Sequence, residues 1–445
     1  MSFRAIDSPP RRRVLFLRAA AAIIPTLFLV LPAEAALSLG EAQARAVARS
    51  RQLSAQDAAM AASRELAVAA GQLPDPVFKL GLDNLPVEGS DRFSVARDFM
   101  TQRRVGFSQE LTRADKRELR AERYRLDAEK TLADKTAAVA AIERDTALAW
   151  LDRSYAEAMA AAFAGSLAQS RMEAVAAESA WRGGRGSEAD LFAARGAVAL
   201  LEDRASEYGR RVATARIALQ RWTGGADDEP LAAPPAFDTV RVDGETLDDQ
   251  LVHHPDIAAL FRLEEIAATD AKLAQANRRA DWTVDVSYSQ RGPAYSNMVS
   301  IGVSVPLQWD TAQRQDRETG AKLAVVEQLR AQREEALRMH VADVRTLLAE
   351  WRSGRERLAR YDATILPLAH ERTAAALAGY RGAKATLADA LAAQRNEIET
   401  HVQRLQLALD TARLWAQLNF LYPDEAGAAG AHLPGRAMAP AKESQ

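Results

Sequence analysis

Apolar and polar positions follow a helical period from residue 113 to 181, without a proline and with Gly165 as the first glycine. Leu119 and Leu126, and again Leu132 and Val139, lie seven apart, the spacing of an interhelical seam. At about 1.5 Å per residue this predicts a helix on the order of 100 Å long, too long for a compact domain. A second stretch of similar length, 309–380, carries Leu337, Val341, Val344 and Leu348 at a 4, 3, 4 spacing. Pro367 lies inside it, where a kink or break is predicted. Shorter helical patterns occupy 39–70, 188–222, 246–279 and 387–421. The first stops at Gly71 and the "LPDP" at 73–76.

Between these helices the period changes to two. Phe78, Leu80 and Leu82 alternate with Val77, Lys79, Gly81 and Asp83, and after a polar loop Val105 and Phe107 alternate with Arg104, Gly106 and Ser108. The pattern returns with Trp282, Val284, Val286 and Tyr288, and after Gly292-Pro293 with Val299, Ile301, Val303 and Val305. Two β-hairpins are predicted, 77–111 and 281–307, each with one apolar and one small or charged face.

The order helix, hairpin, long helix, turn, helix is written twice. "WRGGRGSEAD" at 181–190 reappears 199 positions later as "YRGAKATLAD" at 380–389, and "VGFSQEL" (105–111) is echoed by "IGVSVPL" (301–307). The chain is a tandem duplication: a first repeat 36–222, a linker 223–245 rich in Gly and Pro, a second repeat 246–421, and a tail 422–445 whose composition predicts disorder. Within the repeated motif, Ser187-x-x-Asp190 and Thr386-x-x-Asp389 have capping-box spacing, and Gly183, Gly184 and Gly382 suit the preceding turns.

Composition narrows the function classes. The 58 basic and 60 acidic side chains nearly cancel, so no basic surplus points to nucleic acid. The absence of cysteine excludes disulfides, thiolate metal sites, a cysteine nucleophile and a lipid-modified N-terminal Cys. Arg11–Arg13, the apolar run 19–31 and Ala33-Glu34-Ala35 form an export signal, predicted to be cleaved near Ala36. No later window holds 18 consecutive apolar residues, so contact with a membrane would have to be made by strands. Strands in hydrocarbon must close into a barrel, because each unpaired backbone group there costs several kcal/mol. Four strands cannot close alone, but three chains would supply twelve. The lipid-facing band would be Phe78, Leu80, Leu82, Val105, Phe107, Trp282, Val284, Val286, Tyr288, Val299, Ile301, Val303 and Val305.

No enzyme signature is present: neither G-x-x-x-x-G-K-[ST], H-E-x-x-H nor G-x-S-x-G. The six histidines lack ligand spacing, and adjacent His253 and His254 are expected to point apart into solvent. Met100 and Met298 fall near the hairpin loops, where packing is the expected role. No catalytic residue, metal site or cofactor is predicted.

In this order, "LSLGEAQARAV" (37–47), "GQLPDP" (71–76), two hairpins, two long helices and the repeated "RG-[GA]-[RK]-x-[ST]-x-x-D" resemble the TolC-like outer-membrane factors, the exit ducts of tripartite efflux pumps. The resemblance covers nearly the whole mature chain. Residues 81–101 look most like the branch serving heavy-metal pumps. It implies a mainly α protomer with a transmembrane β-hairpin pair, and a homotrimer whose 12-stranded outer-membrane β-barrel continues as a long periplasmic α-helical barrel. A periplasmic adaptor (membrane fusion protein), an inner-membrane pump and outer-membrane lipid would be its partners. In such proteins acidic residues at the hairpin tips ring the periplasmic entrance. The resemblance places Asp190 and Asp389 there, flanked by Arg182, Arg185, Arg381 and Lys384. Three features depart from the pattern: the lipid-accepting Cys of many relatives is missing, Ala383 stands at a usual turn glycine, and Pro367 lies inside the second long helix. A soluble periplasmic coiled-coil adaptor or scaffold remains the alternative. A hydrolase built on Asp190 lacks a partner base or nucleophile.

Overall fold

The computed structural model describes residues 36–423, apart from 226–228, 245 and 383. The segment read as an export signal, the tail from 424 onward and Ala383 therefore lie outside the described residues.

Ser50 divides the first helical pattern into α1 (Leu39–Arg49) and α2 (Arg51–Ala70). Its backbone turns extended, and its hydroxyl accepts the N–H of Leu53 at 3.3 Å, the behaviour that makes serine a good N-cap. The strands β1 (Val77–Asp83) and β2 (Gln102–Leu111) follow, then α3 (Ala114–Arg182) and α4 (Glu188–Thr223). The helix expected over 246–279 is also divided, into α5 (Leu247–Val252) and α6 (Pro255–Ala276). The cause is local: a residue before proline avoids the helical region, and Pro255 suits the first helical turn. The strands β3 (Trp282–Gln290) and β4 (Met298–Ser304) lead to α7 (Gln315–Arg360). A π turn over Tyr361–Ile365 joins α7 to α8 (Leu366–Arg381), and α9 (Leu387–Asn419) closes the described chain. The π turn is the predicted disturbance at Pro367. Proline cannot donate to the carbonyl four residues back, and the widened turn, with Leu366 N–H bonded to Tyr361 O, absorbs the fault.

The four strands form one antiparallel sheet in the order β1-β2-β3-β4. Its register aligns the apolar positions in rows: Leu80, Val105, Tyr288 and Val299; Phe78, Phe107, Val286 and Ile301; and Val284 and Val303, with the polar Gln109 beside them on β2. Leu82, Arg103 and Gln290 end this face at the loop side, and Leu111 pairs with Trp282 at the helix side. The opposite face carries Lys79, Asp285, Ser108, Ser287 and Ser300, with Lys79 paired to Asp285. No helix packs across the sheet among the described residues, and the apolar face is bare: Leu80 is 81% exposed and Ile301 75%.

Behind the sheet, α3 is the central strut, packing on α1, α2, α4, α6 and α9, while α7 packs on α5, α6 and α9. Leu126 and Val139 of the predicted seam are buried, as are Val344 and Leu348. The main core lies at mid-length, where Leu37, Trp150, Leu151, Leu219, Leu358, Ala412 and Phe420 meet. Two tryptophan struts match one another. Trp150 Nε1 donates to Leu37 O at 3.1 Å, and Trp351 Nε1 donates to Phe237 O at 3.2 Å. A nearly buried Lys116 fastens helix to sheet, donating to Asp281 Oδ2 at 2.7 Å and Arg279 O at 2.6 Å. The N–H of Arg113 reaches the same carboxylate at 3.0 Å.

Candidate functional site

Both copies of the repeated motif lie at the end of the molecule remote from the sheet, in the turns α3–α4 and α8–α9. They are neighbours: Leu387 and Leu391 of α9 pack on Ala177 of α3 and Ala194 of α4.

The first turn closes α3 with a left-handed residue, Gly184 at φ +69°. Arg185 N–H bonds Ala180 O at 2.8 Å and Gly184 N–H bonds Trp181 O at 3.0 Å, the paired pattern of a Schellman cap. The second turn repeats the outer bond, Lys384 N–H to Gly379 O at 2.8 Å. Each turn also contains one tight small-residue contact, and the partners are exchanged. A Cβ on Gly186 would stand 3.2 Å from Ala180 Cβ; a Cβ on Gly379 would stand 3.1 Å from Ala385 Cβ. Position 180 corresponds to 379 and 186 to 385, so each tip holds one alanine and one glycine, in opposite order.

The next helices begin with complete capping boxes. Asp190 N–H donates to Ser187 Oγ at 3.1 Å, while Asp190 Oδ2 accepts from the Ser187 hydroxyl at 2.6 Å and from its N–H at 3.2 Å. Thr386 and Asp389 match this at 3.1, 2.6 and 3.1 Å. The Thr386 hydroxyl and N–H hold the Asp389 carboxyl below the usual carboxylate range. Both acids sit in the first turn of a helix, where negative charge also meets the positive end of the dipole.

The flanking cations are exposed and divide into two kinds. Arg182 pairs with Glu178 at 2.5 Å, and Arg195 approaches the same carboxylate at 3.4 Å. Arg185, Arg381 and Lys384 have no carboxylate partner among the described residues. The tips therefore present capped carboxylates and uncompensated cations side by side. Of the two methionines, Met298 opens β4 opposite Ser289 and Met100 lies in the β1–β2 loop, both exposed.

One expectation is overturned. His254 is not solvated: it is 5% exposed and packs, tilted, against His340 of α7 with ring centroids 4.2 Å apart. Its Nδ1 accepts the N–H of Asp256, which makes it the N-cap of α6. The Asp256 carboxylate lies 3.7 Å away, and the Tyr422 ring packs edge-on at 5.4 Å. Burial, followed by the charge of His340, pushes the His254 imidazole down to about 4, against the opposing pull of Asp256 and the Leu421 carbonyl. The signal was present in "HHP": the residue before an N1 proline is a cap position, whose side chain turns back onto the helix.

No helix among the described residues is long and apolar enough to cross a membrane. No family model matches the chain, and no curated protein matches it by sequence. Solved structures match it in fold. CusC, described in terms of transmembrane channel formation, is 16% identical with a TM-score of 0.74, over 87% of this chain and 92% of its own. The outer-membrane channel OprN is 15% identical, TM-score 0.73, over 87% and 90%. The outer membrane protein VceC of Vibrio cholerae is 18% identical, TM-score 0.69, over 86% and 95%.

Proposed function

We propose that this chain, which has the fold of the TolC-like outer-membrane channels, is itself the outer-membrane channel subunit of a tripartite efflux pump. One observation carries the reading. The sheet presents an apolar face that no part of the chain covers among the described residues, and β1 and β4 each leave an edge unpaired. In water this is an aggregation hazard; in lipid it is a third of a barrel. Three copies supply twelve strands, closed β4 to β1 between neighbours, within the range of outer-membrane barrels. The face runs nine residues along β2 from Arg103 to Leu111, about 27 Å, or roughly 20 Å once tilted, near the height of an outer-membrane apolar band. On this reading the helices cross the periplasm and the tips meet the adaptor and the inner-membrane pump. A soluble adaptor would have no use for such a face.

The channel conducts passively and is no enzyme. Three copies bring six tips to a common axis, each with a carboxylate. A ring of carboxylates narrows the passage and favours cations. That preference and the character of residues 81–101 support heavy-metal cations as cargo.

Two experiments test the reading. The mature protein should require detergent for extraction and run as a trimer; recovery as a soluble monomer refutes it. In planar bilayers, replacing Asp190 and Asp389 with Ala should raise single-channel conductance and weaken cation preference. Asn at both positions removes the charge but keeps an acceptor for the cap. If conductance and selectivity stay unchanged in both variants, the acids cap helices and do not form the aperture.

A further inference from the structure

The apolar face ends differently at its two sides. At the helix side it closes with Leu111 and Trp282; Val305, expected in the lipid-facing band, lies one residue beyond the end of β4, and nearby Trp309 is 87% exposed. At the loop side it closes with Leu82, Arg103 and Gln290. Arg103 stands on the lipid-facing register, one row beyond Val105 and Tyr288. Of the arginines at this end, Arg104 on the opposite face is neutralised by Asp83, and Arg97 in the loop by Asp91. Arg103 has no carboxylate partner among the described residues; one Nη donates to Arg291 O at 3.2 Å. The Arg291 guanidinium donates to Phe99 O, lies over the Tyr295 ring at 4.9 Å, and keeps a buried Nε with no partner. Asp98, the nearby acid, is spent on the N–H groups of Met100 and Thr101 at 2.8 and 3.2 Å.

A guanidinium fork at the edge of an apolar face, with its neighbouring acids already engaged, matches a phosphate held at the level of lipid headgroups. We propose that Arg103, together with Gln290 and the guanidinium of Arg291, binds a phosphate group of an anionic lipid in the outer leaflet. This rests on the membrane-channel reading above, since it needs the apolar face in lipid and the loop end outward. The Arg103 guanidinium keeps its Nε and second Nη for the phosphate oxygens, and the Gln290 amide on the paired strand adds a neutral donor beside it. The apolar rows below take the acyl chains. Binding thus combines two interactions that a free anion cannot satisfy together.

Native mass spectrometry of the full-length trimer, released from detergent with defined additives, tests the site. The probes are a phosphorylated glucosamine-based lipid, its dephosphorylated counterpart and inorganic phosphate. The wild-type protein should retain the phosphorylated lipid about tenfold more strongly than the dephosphorylated one. Arg103→Gln should bring the two lipids level, while Arg104→Gln, on the water face, should leave the preference intact. Equal retention by the wild-type protein, or an undiminished preference in Arg103→Gln, overturns the proposal. So does displacement of the lipid by inorganic phosphate at equal concentration, which would mark an unspecific anion site. A trimer that forms in detergent but shows no phosphate preference sinks this proposal alone. A protein that needs no detergent sinks the channel reading with it.

Discussion

Replacing His254 with asparagine should flatten the acid sensitivity of the junction between α6 and α7. The native imidazole is buried against His340, under Tyr422 and beside Asp256, with Arg144 of α3 adding positive charge and Asp343 of α7 lying near His340. Its pKa falls from 6.5 to about 4 in the folded protein. The sign follows from linkage. Above pH 6.5 neither state binds the proton and the group contributes nothing. As pH falls below 6.5 the unfolded state takes up a proton that the folded state refuses, so stability is lost until about pH 4, where the folded imidazole also charges. At pH 5 the loss is about 2 kcal/mol, roughly thirtyfold in the local opening equilibrium. An asparagine keeps an N-cap acceptor for Asp256 N–H but cannot titrate. Amide hydrogen exchange over the first turns of α6, corrected for intrinsic rates, measures the opening free energy from pH 7.5 to 5. The wild type should lose that amount over the range, and the His254→Asn variant should lose far less. Equal slopes would refute the assignment of the proton to this pair.

Two further substitutions probe packing. Gly186→Ala should loosen the first tip by about 1 kcal/mol, because its Cβ meets Ala180. Adding Ala180→Gly should recover part of that loss, read by amide exchange or proteolysis at 183–187; strictly additive losses would deny the contact. Asp281→Ala leaves the buried Lys116 ammonium without its carboxylate and should cost about 3 kcal/mol, seen as a lowered melting temperature in detergent. Combining it with Lys116→Met should restore most of the stability, whereas no recovery would mean that the carboxylate acts mainly through the Arg113 N–H.

The long helices, both hairpins and the tip caps were legible because each is written in local code: period 3.6, period 2, glycine, then Ser/Thr-x-x-Asp. The apolar face was legible for the same reason, although the rows that place Arg103 at its edge need the register between β2 and β3, which no single strand encodes. Helix interruptions were harder. Ser50 breaks a run whose one glycine, Gly40, lies ten residues before the break, and a serine side chain that can cap a helix can equally sit inside one. His254 was missed because burial depends on α7 and the chain near Tyr422, more than eighty residues away in sequence. Its position before Pro255 marked the cap but not the company it keeps.

The exchanged alanine and glycine say what the two tips have in common. Compared position by position, 180 against 379 and 186 against 385, the halves disagree twice. Compared as contacts, they agree: each tip has room for a single methyl group between the end of one helix and the approach to the next. What the two tips share is a volume, filled from position 180 in one and from position 385 in the other. A tip transplanted whole from one half to the other should therefore fit, where a hybrid assembled one residue at a time would be either overfilled or hollow.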